Sequence, residues 1–263
     1  MGLCGGWAWL QQKQKYHPRL LYPNPHTERP PHSRIRIDVC GAFFTSIRWA
    51  YTRFPDKTLV HNTLERILAR LGGKDQLVLY IDGEPAVEKK DTHELRRTQR
   101  QKAVESANKH LDVLKSRIQA SKRVRRQHFQ SCNKAIDGSF HWSFGDRQAF
   151  VSYLVKEGYE AILCHTEADP AIARDSLVTD VVVSRDSDFL GYETVRTIWR
   201  PVGHTNNNRF LVYDKDGILA ALKLTDAQLV VLACVSKNDY EPNIRSLAWQ
   251  SNHKIIKTLE PRD

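Results

Sequence analysis

From residue 35 onward, short apolar runs alternate with stretches of helical periodicity. Ile35 to Val39 and Leu77 to Ile81 read as strands. Between them Leu64, Ile67, Leu68 and Leu71 recur at i, i+3, i+4 and i+7, which predicts a helix over 61–71 stopped by Gly72 and Gly73. A helix from about Asp146 to Glu157 ends at Gly158, and Tyr159 to Cys164 follows as a strand. Pro170 suits an early helical position, so a helix opens after Glu167 and runs to about Asp175. Asp180 to Ser184 is β-branched enough for a buried strand, and Val195 to Trp199 and Phe210 to Tyr213 read as later strands. Thr225 with Gln228 forms a capping box for a helix to about Ser236. The alternation predicts an α/β fold with a mostly parallel sheet flanked by helices.

Two stretches stand outside it. Tyr16 to Pro31 holds Pro18, Pro23, Pro25, Pro30 and Pro31 and reads as an extended surface connection. From Lys89 to about Asn133 there is no strand signal. Val104, Ala107, Leu111, Leu114 and Ile118 fall at alternating spacings of 3 and 4, which predicts a long helical insertion with one apolar stripe.

Carboxylates follow the apolar runs. Asp38 and Asp82 end the first two strands, Glu167 and Asp169 follow the third, Asp186 and Asp188 the fourth, and Asp239 comes after the Thr225 helix. The carboxyl ends of parallel strands share one edge, where open α/β sheets bind ligands. Any single Asp there serves equally as a cap or turn residue. Gathered together, like charges need a compensating cation, and carboxylate oxygens suit a pair of Mg²⁺ or Mn²⁺ ions of the kind used in phosphodiester hydrolysis.

Composition narrows the classes. The chain has 263 residues, 41% of them apolar, which suffices for a core. No apolar run approaches the roughly 18 to 20 residues that span a bilayer, and Met1 to Leu10 lacks signal-peptide character, so an intracellular protein is expected. Five scattered cysteines, Cys4, Cys40, Cys132, Cys164 and Cys234, suggest free thiols rather than a disulfide framework or zinc site. The net charge is +10, and residues 89–134, with 14 basic and 4 acidic side chains, carry all of it. Its densest cluster, Lys122, Arg123, Arg125 and Arg126, fits phosphate binding, a nuclear localisation signal, or docking onto an acidic partner or membrane.

In this order the motifs resemble the flap endonuclease and XPG family of structure-specific 5′ nucleases, which has a PIN-like α/β fold. Met1-Gly2-Leu3 resembles the family's M-G-I/V start, and Ile37-Asp38 its I-D-A/G strand. Ile81-Asp82-Gly83-Glu84-Pro85 resembles F-D-G-x-P, and Thr166-Glu167-Ala168-Asp169 resembles E-A-E-A with Asp as the second acid. Ser184-Arg185-Asp186-Ser187-Asp188 resembles T-x-D-x-D, and Asn238-Asp239-Tyr240 resembles G-S-D-Y.

The resemblance implies a catalytic domain over 1–245 with 89–147 as a helical arch insertion, and a short tail, 246–263. It implies two Mg²⁺ (or Mn²⁺) ions on Asp38, Asp82, Glu167, Asp169, Asp186 and Asp188, with Asp239 assisting. Lys89 and Arg96, at the family's offsets of seven and fourteen from Asp82, would sit on one helical face toward the scissile phosphate. Gly2, Phe44 and the Lys122–Arg126 cluster would meet nucleic acid, Phe44 by stacking, although burial in the core calls for the same ring. The implied function is hydrolysis of DNA with a single-stranded 5′ flap or end, in repair or replication in the nucleus. A PIN-like nucleic-acid binder with weak catalysis and an RNA-directed nuclease are the alternatives. After Asp239 the run Pro242 to Ala248 lacks the glycines of the family's helix-turn-helix, so the duplex grip is expected to be degenerate or truncated. No sliding-clamp motif is visible at the tail, and no membrane partner is expected.

Overall fold

Successive residues of the central strands face opposite layers, and this period of two sets the architecture. In Leu77–Ile81, Leu77, Leu79 and Ile81 join one core while Val78 and Tyr80 join the other. The computed structural model describes residues 6–12, 16–21, 33–85, 89–203, 209–236, 247 and 249–259.

In chain order the elements are α1 (Gly6–Gln12), β1 (Arg19–Leu21), β2 (Ile35–Asp38), α2 (Val39–Arg53), α3 (Lys57–Leu68), β3 (Leu77–Ile81), α4 (Lys90–Gln119), α5 (Arg126–Ser139) and α6 (Phe144–Lys156). They continue with β4 (Glu160–Leu163), α7 (Ala168–Asp175), β5 (Val181–Val183), β6 (Thr197–Pro201), β7 (Phe210–Asp214), α8 (Lys215–Leu222), α9 (Asp226–Val235) and α10 (Trp249–Ile256). The seven strands form one sheet in the order β1-β7-β6-β5-β2-β3-β4. β4, β3, β2, β5 and β6 run parallel, β7 joins β6 antiparallel, and the edge strand β1 pairs antiparallel with β7. The mostly parallel α/β expectation holds, and the stretch expected to be an extended surface connection contributes edge strand β1.

One core lies between the sheet and α2, α3 and α6, through Ile47, Leu64, Leu68, Phe150 and Leu154. The other lies beneath α1, α7, α8, α9 and α10, through Leu10, Ile172, Leu222, Leu232 and Ile256. Strand β2 also carries a buried cation. Arg36 Nε donates to Asp180 Oδ2 at 2.7 Å and Nη1 to the Tyr80 hydroxyl at 2.7 Å, while Asp180 accepts the Arg34 and Leu177 amides. This hydrogen-bonded network pins β2, β3 and the start of β5 in register at the amino end of the sheet.

Local chemistry explains the boundaries. Asp56, Ser143 and Asp214 side chains accept amides in the first turns of α3, α6 and α8, and the Thr225–Gln228 capping box opens α9 as expected. Gly158 ends α6 at φ +86°, a left-handed conformation that favours glycine. α3 begins at Lys57, earlier than the 61–71 pattern, because Asp56 supplies the cap.

The expected helical insertion is built of two helices. α4 and α5 pack on each other, and the turn between them has Ser121 at φ +51°. Of the expected stripe, Ala107 and Leu114 are buried whereas Val104, Leu111 and Ile118 stay exposed. Residues 246–263, expected as a tail, include α10, which packs on α9. Its Ile256 is buried, His253 Nε2 lies 3.0 Å from the Leu222 carbonyl, and Trp249 stacks on Trp9 at 5.4 Å. No single helix among the described residues is long and apolar enough to cross a membrane. Among the described cysteines all are free; Cys132 and Cys164 are buried, Cys40 is half-buried and Cys234 is exposed.

Candidate active site

β2, β3 and β5 are parallel, so their carboxyl ends open onto one edge. There a cavity of about 720 Å³ is lined by Asp38, Asp82, Glu167, Asp169 and Asp186. Asp38 closes β2 and caps α2, its Oδ1 accepting the Gly41 amide at 2.7 Å and its Oδ2 the Ser184 hydroxyl at 2.7 Å. The same Ser184 Oγ accepts the Asp186 amide at 3.0 Å. Asp82 Oδ1 accepts the Ala168 amide at 2.9 Å, tying the end of β3 to the first turn of α7. Asp169, one residue further into α7, is only 7% exposed.

The field is strongly negative. Burial, reinforced by Asp82 and Asp186, pushes the Asp38 carboxyl up to about 7. Burial, with Asp38, Asp186 and Asp82 beside it, pushes Asp169 up as well. Two thiols register the same field. Burial and then Asp82 and Asp38 raise Cys40 well above the ordinary range, and Cys164 to about 12.

Cations line the same cavity. Lys89, Arg96, Arg97 and Arg100 reach it from the start of α4, and Arg147 from α6. Lys89 Nζ lies 2.6 Å from Glu167 Oε1. Arg147 Nη1 donates to the carbonyls of Asp82 and Gly83 at 3.0 and 2.8 Å. His93 and His141 also line the cavity, and both are pushed below the usual histidine range by burial first, then by Arg96 and by Arg100 respectively. Phe44 on α2 is 43% exposed, lines the cavity and packs against Phe140 at 5.9 Å, so its ring faces the cleft rather than the core.

Among the described residues no group of three or more His, Cys, Asp or Glu side chains is already arranged to hold a metal ion. The carboxylates are turned instead onto protein donors: Gly41, Ser184, Ala168 and Lys89. The donor chemistry nevertheless fits a hard divalent cation. It is all carboxylate oxygen, and burial first, then mutual repulsion, raises the Asp38 and Asp169 carboxyls, a cost that a cation would relieve.

The structure therefore gathers Asp38, Asp82, Glu167, Asp169 and Asp186 with Lys89, Arg96 and Phe44 around one cavity. Asp188 is not among the lining residues; it starts a short 3₁₀ turn, and its amide donates to Asp186 Oδ1 at 3.0 Å. Lys89 precedes α4 as its N-cap residue rather than sharing a helical face with Arg96, and it is only 3% exposed because its ammonium is drawn onto Glu167. Lys122, Arg123, Arg125 and Arg126 are exposed at the far end of α4, about 30 Å along the helix from Arg100. Gly2 and Asp239 lie outside the described residues. Sequence reasoning missed Arg97, Arg100, His93, His141 and Arg147. Arg100 was within reach of helical spacing, being four residues after Arg96, whereas nothing local marks Arg147.

Among solved structures, the catalytic core of Rad2 in complex with DNA substrate superposes with a TM-score of 0.58 at 18% identity, over 98% of this chain and 69% of that one. Human GEN1 in complex with Holliday junction DNA gives 0.55 at 14% identity, over 99% and 56% of the two chains. Flap endonuclease-1 from Methanococcus jannaschii gives 0.52 at 14% identity, over 92% and 75%. The fold is that of the flap endonucleases and their XPG relatives. This chain spans only about half to three quarters of those flap-endonuclease-like structures. No family model and no curated protein matches the sequence. The flap-endonuclease fold thus rests on topology, with the acidic edge at the carboxyl ends of its parallel strands.

Proposed function

We propose that this protein is a divalent-metal-dependent nuclease that hydrolyses phosphodiester bonds in DNA bearing a single-stranded 5′ flap or end. The observation that carries this reading is the presence, around one cavity, of five carboxylates at the strand ends together with Lys89 and four arginines. That combination suits a polyanionic substrate held beside metal ions.

Asp38, Asp82, Asp169 and Asp186 would hold two Mg²⁺ or Mn²⁺ ions, with Glu167 and Asp188 alongside and Asp239 assisting. When bound, the ions supply activation of the attacking water and stabilisation of the leaving oxygen. Arg96, Arg97 and Arg100 draw the scissile phosphate across the cleft and offset its transition-state charge. Lys89 holds Glu167 in place and adds positive charge at the same end of the cavity. Phe44 offers its exposed face to a nucleobase beside the reacting bond. The exposed cations between α4 and α5 bind flanking phosphates, and their sequence also fits a nuclear localisation signal.

One observation favours a second reading. The Lys89 ammonium is held on Glu167 at 2.6 Å, a salt bridge that a metal ion or a phosphate would have to break, as in a nucleic-acid-binding protein that no longer cleaves. Incubating labelled 5′-flap DNA with the protein and Mg²⁺ separates the two. Cleavage by the wild type and its loss in Asp186→Ala support the nuclease; salt-sensitive binding without cleavage supports the binder. A matched RNA flap, cut faster than DNA, would move the substrate to RNA.

A further inference from the structure

Arg147, which lines the same cavity, grips the backbone of a carboxylate-bearing turn rather than a carboxylate. Its Nη1 donates to the Asp82 and Gly83 carbonyls, while from the other side the Ala168 amide holds Asp82 Oδ1 and the Glu84 amide donates to the His165 carbonyl at 3.0 Å. The turn carrying Asp82 is clamped between α6 and the residues that lead into α7. The clamp is itself braced. Ser143 caps α6, Asp146 pairs with Lys57 at 2.7 Å, and the Arg147 guanidinium lies 5.8 Å from the centre of the Phe144 ring.

We propose that Arg147 is a positioning residue that fixes the direction of the Asp82 carboxylate and thereby sets the divalent-metal affinity of the acidic edge; this rests on the metal-dependent reading above. A cation paired directly with Asp82 would compete with a metal for the same oxygens. A guanidinium bonded to the carbonyls orients the turn and leaves the carboxylate available. One Nη1 serves both carbonyls; a lysine ammonium also has donors for two, but it ends a shorter stem and lacks the planar group that lies beside the Phe144 ring, so it does not occupy the same place. Changes to groups that orient metal ligands characteristically lower metal affinity about 10- to 100-fold.

The test titrates Mn²⁺ into the full chain, following free Mn²⁺ by electron paramagnetic resonance, for wild type, Arg147→Gln and Arg147→Lys. Thermal unfolding confirms that each variant folds. The expected result is Mn²⁺ binding weakened at least about tenfold in both variants, with the Mg²⁺ concentration for half-maximal cleavage rising in parallel and KM for DNA little changed. Wild type that binds no Mn²⁺ would overturn the metal-dependent reading and this inference with it. Wild type that binds Mn²⁺, with both variants binding it equally well, overturns the role of Arg147 alone. Normal Mn²⁺ affinity with a raised KM in Arg147→Gln that Arg147→Lys restores would assign Arg147 to phosphate contact and overturn positioning.

Discussion

Ser184 Oγ donates to Asp38 Oδ2 at 2.7 Å and accepts the Asp186 amide at 3.0 Å, so one hydroxyl couples the acid that ends β2 to the acid that follows β5. Its hydrogen bond favours the ionised form of Asp38 against burial and the neighbouring acids. Ser184→Ala removes that donor and leaves the Asp186 amide without its acceptor. The expected cost is about 1–2 kcal/mol of stability. Asp38 should titrate at higher pH still, so the acid limb of the pH–rate profile moves upward. Ser184→Thr, which keeps the hydroxyl, should restore it. A profile that stays where it was in Ser184→Ala would remove Ser184 from the site.

The contribution of the acidic edge to metal-free stability should fall as pH rises from about 4 to about 7, opposite in sign to that of His61, His93 and His141, whose lowered titration adds stability over the same range. The sign follows from Asp38, whose folded carboxyl titrates at about 7 against an ordinary 3.8. Between those values the folded state binds more protons than the unfolded one, so raising the pH favours unfolding. Asp169 is shifted in the same direction and adds to the effect. For Asp38 alone the loss is on the order of 4 kcal/mol. Mg²⁺ replaces the lost protons, so its stabilising effect should be small at pH 5 and large at pH 8. Calorimetry at several pH values, with Mg²⁺ and with chelator, reads this directly. Asp38→Asn isolates the acid: a Tm difference between it and wild type that does not change with pH in chelator contradicts the field described for the acidic edge.

The acidic edge was legible because each carboxylate follows an apolar run, and parallel strands bring such positions together whatever their separation in sequence. Asp38 also shows why the two sequence readings were inseparable: it is the cap of α2 and a wall of the cavity at once. α2 itself went unread. Its run Val39–Arg53 mixes β-branched, aromatic and charged residues, and the cap residue looked like the end of a strand. The pairing of Lys89 with Glu167 spans 78 residues and depends on where α4 begins, which spacing alone does not fix. Arg147 was invisible for a similar reason. Its role arises from α6 lying beside the end of β3, a tertiary fact with no local pattern.

Gly83→Ala should disable the site while leaving most of the fold intact. A Cβ there would stand 1.8 Å from the Cys164 carbonyl oxygen and 2.4 Å from that of His165, so backbone rather than a flexible side chain must move. The displaced segment carries the Ala168 amide that holds Asp82. Expected are a stability loss of roughly 2–4 kcal/mol and cleavage reduced by two orders of magnitude or more. Circular dichroism melts and single-turnover cleavage of a 5′ flap check both. Near-normal cleavage would mean that the geometry of this turn does not limit the reaction.

Neutralising Lys122, Arg123, Arg125 and Arg126 together should weaken DNA binding without touching the acidic edge. α4 is 30 residues long, about 45 Å, and its cavity-lining residues end at Arg100, so these cations act on phosphates well away from the bond being cut. For every phosphate that a cation no longer neutralises, the slope of log binding constant against log salt falls by about 0.7–0.9. The fourfold alanine variant should therefore show a shallower slope, by up to about 3 if all four cations bind phosphate. Cleavage at saturating DNA and the Mn²⁺ titration should match wild type, because neither depends on charges some 30 Å from Arg100. A fluorescence-anisotropy titration at several salt concentrations measures the slope. If the variant binds with the slope of the wild type, the turn between α4 and α5 is a solvated cationic surface, and the affinity for nucleic acid resides in the arginines of the cleft.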